Sequence, residues 1–158
     1  MRRIAGMVVL AWGLMLAMPV VGQNGRVGVY TRTDVRDLVQ RMERHSDDFR
    51  KHFEKALDKS ALDGTDREDR LRRWTQDLED SLDKFKDDYN NGRIRAVEPR
   101  VNMLLAIAAG INRAMLYRTF DADAERDWDL LRSDLNALAI VYNLPALQTY
   151  RVRSYAGA

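Results

Sequence analysis

The 158-residue chain contains no cysteine. Disulfides, thiol nucleophiles, thiolate metal sites and lipid attachment through sulfur are therefore all excluded. It has only two histidines, few for transition-metal sites that generally draw on three or four convergent ligands. No Cys-x-x-Cys-His offers covalent haem attachment, and no Glu-x-x-His offers the di-iron chemistry of helical bundles. There is no glycine-rich phosphate loop, since Gly22, Gly25 and Gly28 do not precede a helix in the required way. No basic run with interleaved aromatics argues for nucleic acid. Beyond the first 22 residues the continuous apolar run Met103 to Ile111 covers nine positions, where about 20 are needed to cross a bilayer.

Charge corrects one false lead. The chain has 26 Lys+Arg and 24 Asp+Glu, a net of +2, and a pI near 9.0. Two of the bases, Arg2 and Arg3, open the N-terminal segment, and Ile4 to Val21 is uncharged. Pro19 then breaks helical geometry, and Val20-Val21-Gly22 places small residues at a cleavage site. Residues 1–22 therefore read as a signal peptide cleaved after Gly22. The alternative is a retained anchor, because 18 uncharged residues approach spanning length. After cleavage, residues 23–158 carry equal numbers of acids and bases. They form one domain by length, exported to the periplasm or beyond the cell, with no stable membrane insertion expected.

The remaining chain is helical by its periodicity. Residues 23–33 read as an extended leader, 34–144 as four helices and 145–158 as a loose C-terminal tail. In helix 1, Asp34 to Ser60, Val35, Met42, Phe49 and Ala56 repeat every seven residues, with Leu38, Val39, Phe53 and Leu57 filling the seam. Thr33 or Asp34 is positioned to cap it. Thr65 to Glu68 reads as a capping box opening helix 2, whose stripe is Leu71, Trp74, Leu78, Leu82, Phe85 and Tyr89. Asn90-Asn91-Gly92 ends it. Helix 3 carries Val97, Val101, Leu104, Ala108, Ile111 and Met115 and is the most apolar. Such a helix lies in a bundle interior or faces a second chain. Pro99 either starts this helix or kinks one that starts near Ile94. Trp128, Leu131, Leu135, Leu138 and Tyr142 mark helix 4, capped by Asp121 or Asp123 and stopped at Asn143-Leu144-Pro145.

Short connections and matched helix lengths predict an all-α, antiparallel up-down-up-down four-helix bundle with a left-handed twist. Charge agrees with that order. Residues 61–92 net −4, 93–120 net +4 and 121–143 net −4, so the third helix is suited to lie between the second and fourth.

Candidate chemistry is sparse. His45, Asp48 and His52 share one face of helix 1 and are weak metal candidates. The histidines are about 10.5 Å apart along the axis, and the plainer reading makes them half-exposed residues with Asp48 as ion-pair partner. A haem held by either histidine with Met103 or Met115 is a remote variant, those methionines being suited to core filling. Ser46 is adjacent to His45, and adjacent helix residues point apart. The acids read as solvated faces, none on an apolar stripe, leaving Asn102 and Asn112 as the polar residues among the seams. Tyr150 and Tyr155, with Arg151, Val152 and Arg153, form either a docking segment or a frayed terminus.

Two blocks carry a resemblance. One is Ser46-Asp47-Asp48-Phe49-Arg50 continuing to Ser60-Ala61-Leu62-Asp63-Gly64-Thr65. The other is Glu125-Arg126-Asp127-Trp128, followed by Leu131-Arg132, Asp134-Leu135, Leu138-Ala139 and Tyr142-Asn143. Over residues 34–144 the chain resembles a group of exported bacterial helical proteins with no assigned activity. That resemblance implies architecture and export only. The expectation is a non-enzymatic exported bundle with an interaction or structural role, without cofactor, whose partner is a protein or a second copy of the chain. A metal- or small-ligand-binding bundle centred on helix 1 is the alternative.

Overall fold

The structure, a computed structural model, describes residues 31–148. The expected signal peptide, the leader as far as residue 30, and Tyr150 to Tyr155 lie outside the described residues. Within them are α1 (Arg32–Asp58), α2 (Asp66–Asn90), α3 (Ile94–Tyr117) and α4 (Ala122–Val141), with no strand. α1 packs against α2 and α4, and α3 packs against α2 and, least extensively, α4. These pairings are those of a four-helix bundle. No described helix is long and apolar enough to cross a membrane.

Local chemistry sets each boundary. α1 is capped by neither Thr33 nor Asp34 but by Thr31. Its hydroxyl accepts the Asp34 N–H at 3.2 Å, while the Asp34 carboxylate accepts the Thr31 N–H at 2.7 Å, so Asp34 is the far half of a capping box. The Thr31 N–H and hydroxyl both donate to the Asp34 carboxyl and hold it below its usual range. At α2, Thr65 accepts the Glu68 N–H as expected. Glu68 itself reaches Gly64 N–H at 2.7 Å, because the Thr65 N–H is already committed to the Leu62 carbonyl. α2 closes with Gly92 at φ 67°, where Gly92 N–H bonds the Tyr89 carbonyl and Arg93 N–H the Asp88 carbonyl. α3 starts at Ile94 and carries Pro99 inside it.

Asn143 repeats the α2 device at the end of α4. Its φ of 53° lets Leu144 N–H reach the Ala139 carbonyl at 2.8 Å and turns the chain back on itself. The Asn136 side chain then holds Leu147 at both its N–H and its carbonyl, at 2.7 and 3.3 Å. Asn112 donates to the Gln148 carbonyl at 3.0 Å. Leu147 is buried. The first four residues of the segment read as loose, 145–148, are therefore held across α3 and α4.

The seven-residue seams converge on one core. Val101, Leu104, Ala108 and Ile111 of α3 are fully buried, as are Met42, Phe53 and Leu57 of α1. Phe49 stacks on Phe53 at 4.9 Å and tilts against Trp128 at 5.1 Å, and Phe120 meets Phe53 edge-on. Trp74 departs from its expected place in the seam. It is 36% exposed and lies over Gly110, with ring carbons 3.2 Å from where a Cβ there would sit.

Candidate functional site

Both histidines face α4 rather than each other. His45 Nδ1 lies 2.8 Å from Asp134 Oδ2, and His52 Nδ1 lies 2.5 Å from Asp127 Oδ2. Each carboxylate also takes an arginine at 3.3 Å, Arg41 at Asp134 and Arg126 at Asp127. The result is two similar polar rungs between α1 and α4. The carboxylates are buried and the imidazoles about three-quarters buried. Because a carboxylate oxygen only accepts, each imidazole donates from Nδ1, and a neutral ring then carries its lone pair on Nε2.

This overturns two sequence expectations. Asp48 is exposed and is not the histidines' partner. Acids also do occupy buried positions: Glu68, Asp88, Asp127 and Asp134 are all buried, each held by cations. Asp127 and Asp134 directly precede seam residues Trp128 and Leu135 on the helix, which draws them to the seam's edge. His45, Asp48 and His52 do not come together as one ligand set, since a different α4 carboxylate takes up each imidazole.

A His–Asp pair is part of a nucleophilic triad, but Ser46 does not complete it. Ser46 is buried and lines a cleft between α1 and α2, whereas both histidines bond to α4. Asn112 is the polar seam residue with a defined structural part, accepting the Trp128 indole N–H at 3.1 Å. Asn102 is exposed and donates to the Glu98 carbonyl. Met115 is buried in the core and Met103 is about half exposed, so the two methionines do not share an environment.

Other titratable clusters serve the scaffold. Asp58, Asp63 and Glu68 bring carboxylate oxygens within 4.8 Å of one another. The Arg72 guanidinium pairs with both Asp58 and Glu68 there, the latter at 2.7 Å. A cation is thus already built into the cluster, and with the Gly64 N–H it holds the Glu68 carboxyl low. Asp88 closes the α2–α3 turn by taking Arg93 at 3.2 Å and Arg100 at 3.1 Å. Its carboxyl is held low, first by Arg100. At the same end, burial pushes the Tyr142 phenol up to about 12.

Glu79, in the α1–α2 cleft with Asp47, Asp80 and Asp83, behaves oppositely. Burial raises its carboxyl, Arg50 at 2.8 Å opposes this, and Asp47 and Glu54 add to the rise. A raised folded-state value means that the ionised form is less favourable in the fold than in the unfolded chain. That cost is absent below the unfolded value of 4.5 and grows as pH rises through the folded value. Glu79→Gln is therefore expected to raise the melting temperature at pH 7, with the gain fading below pH 4.5. Thermal melts of both proteins at several pH values check this, and a gain that persists in acid would contradict it.

No family model matches the chain, and no significant match emerges among curated proteins or solved structures.

Proposed function

We propose that the protein is an exported, non-enzymatic four-helix bundle that works by protein–protein contact. One observation carries this reading: α4 has large apolar side chains that the core does not use. Leu130 is 45% and Ile140 56% exposed, while Ala137 between them packs against the core. Ten residues apart, Leu130 and Ile140 lie about 80° apart around the helix, on one outer face. An apolar outer face is what helices present to partners.

The antiparallel up-down-up-down order belongs to the same proposal. Its support is that the rungs pair rising α1 numbers with falling α4 numbers, and that Asp88 near the end of α2 meets Arg93 and Arg100 near the start of α3. Export rests on the signal-like residues 1–22, and the resemblance to exported helical proteins agrees with it. A ligand centre on helix 1 is not carried forward, because His45 and His52 turn to different α4 carboxylates and Asp48 joins neither.

Leu130→Glu/Ile140→Glu tests the proposal. Both positions are exposed, so the fold should survive, as circular dichroism will show. Each apolar side chain buried in a contact is worth about 1.5–3 kcal/mol, so association should weaken at least tenfold. Native mass spectrometry of the protein isolated from its own host reads this directly. Added protein mass in the wild type that is missing from the variant is expected. Identical assembly of wild type and a folded variant would remove α4 as the contact face.

A further inference from the structure

Where the first turns of α2 meet the last turns of α3, a cleft of about 330 Å³ is lined by Arg67, Arg70, Arg113 and Arg118, with Trp74 and Tyr117 as its aromatic residues. No carboxylate lines it. None of these four arginines has a hydrogen bond or ion pair among the described residues. Elsewhere among the described residues Arg41, Arg50, Arg72, Arg93, Arg100, Arg126 and Arg132 each hold a carboxylate; Arg36, Arg44 and Arg73 do not, and what sets the cleft apart is that four unpaired arginines line it together.

The arrangement runs against the charge logic of the α2–α3 seam. At the other end of these two helices an acid of α2, Asp88, meets Arg93, just before α3, and Arg100 within it. Here bases of α2 meet bases of α3, although α2 as a whole is acidic. Clustered like charges repel, and an anion in the cleft removes the repulsion. Guanidinium groups are planar, always charged and forked, which suits bidentate capture of phosphate. The aromatic wall is built as well: the only glycine of α3, Gly110, lies under the Trp74 ring, and Tyr117 is 79% exposed.

We propose that this cleft binds an anionic phosphoryl-bearing ligand, with a planar or apolar portion against Trp74 and Tyr117. The inference is independent of the α4 contact face. Two sources share this chemistry, a soluble organic phosphate and a phospholipid headgroup.

The test uses the full chain. Pyrophosphate and ATP are titrated by calorimetry and by tryptophan fluorescence, for which Trp74 is the exposed reporter among the described residues, Trp128 being fully buried. Co-sedimentation with phosphatidylglycerol vesicles, against phosphatidylcholine vesicles, forms the second arm. Arg70→Glu/Arg113→Glu should weaken binding at least tenfold. Arg36→Glu/Arg44→Glu on α1, with the same change in net charge, should alter it less than twofold. Trp74→Ala removes the indole, so by calorimetry it should weaken ATP several-fold and leave pyrophosphate unchanged. Binding of soluble phosphates identifies the first source, and binding only to phosphatidylglycerol identifies the second. Failure of every probe, or equal losses in the cleft and control variants, overturns the site. A Trp74→Ala variant that binds ATP like wild type overturns the aromatic wall.

Discussion

Trp128→Ala is expected to lower the unfolding free energy by about 3–5 kcal/mol through lost packing alone. Trp128 is fully buried, tilts against Phe49 at 5.1 Å, and donates its indole N–H to Asn112 at 3.1 Å. Asn112 is itself 4% exposed, so truncation strands its carbonyl, at a further cost of about 1–3 kcal/mol. The other end of the same amide holds the Gln148 carbonyl. One substitution therefore loosens the core, the α3–α4 contact and the returning segment 145–148 together. Stabilities of small domains run about 5–15 kcal/mol, so the loss takes a large share of the total and a clear fall in the urea midpoint is expected. Trp128→Phe separates the contributions, keeping most of the volume while losing the hydrogen bond, and should cost about 1–3 kcal/mol. Urea denaturation followed by far-ultraviolet circular dichroism measures both. Equal costs for the two variants would show that the hydrogen bond, not the packing, dominates the site.

The second large effect belongs to the rungs between α1 and α4. Asp127→Ala and Asp134→Ala each remove a buried carboxylate that holds one histidine and one arginine. Hydrogen bonds to charged groups contribute about 1.5–3 kcal/mol. The rungs are about 10.5 Å apart along the helix and share no partner, so their effects should add, to about 3–6 kcal/mol in the double variant. The same denaturation experiment decides it. A double variant no less stable than either single one would mean that the rungs act as one unit.

What was legible in the sequence was what repeats. The seven-residue spacing of Val35, Met42, Phe49 and Ala56 reports burial directly, and all four are in the core. Thr65 as a cap and Asn90-Asn91-Gly92 as a stop were readable because each is a local chemical event within one turn. The rungs were not readable, because Asp127 and Asp134 look like solvated acids until α1 is laid beside them. Their one signal was a seven-residue separation equal to that of His45 and His52. Trp74 followed the helical period yet lies outside the core, over Gly110 on another helix. The arginine cleft was hidden by averaging: a net −4 for residues 61–92 conceals Arg67 and Arg70 at the end that meets Arg113 and Arg118. The capture of Leu147 by Asn136 leaves no periodic trace at all.

The rungs also have an effect on alignment. An apolar seam that repeats every seven residues is nearly indifferent to a slide of seven. If α1 shifted by that amount against α4, Met42 would take the place of Phe49 and one oily contact would replace another. The polar marks are not so forgiving, because there are only two on each helix, at the same interval. A slide of one repeat sets His45 opposite Asp127 or His52 opposite Asp134 and leaves the remaining carboxylate buried without its imidazole, at about 1–3 kcal/mol. Only the native alignment engages both marks. The two histidines thus work as a vernier, selecting a single setting from a scale whose apolar graduations are nearly alike.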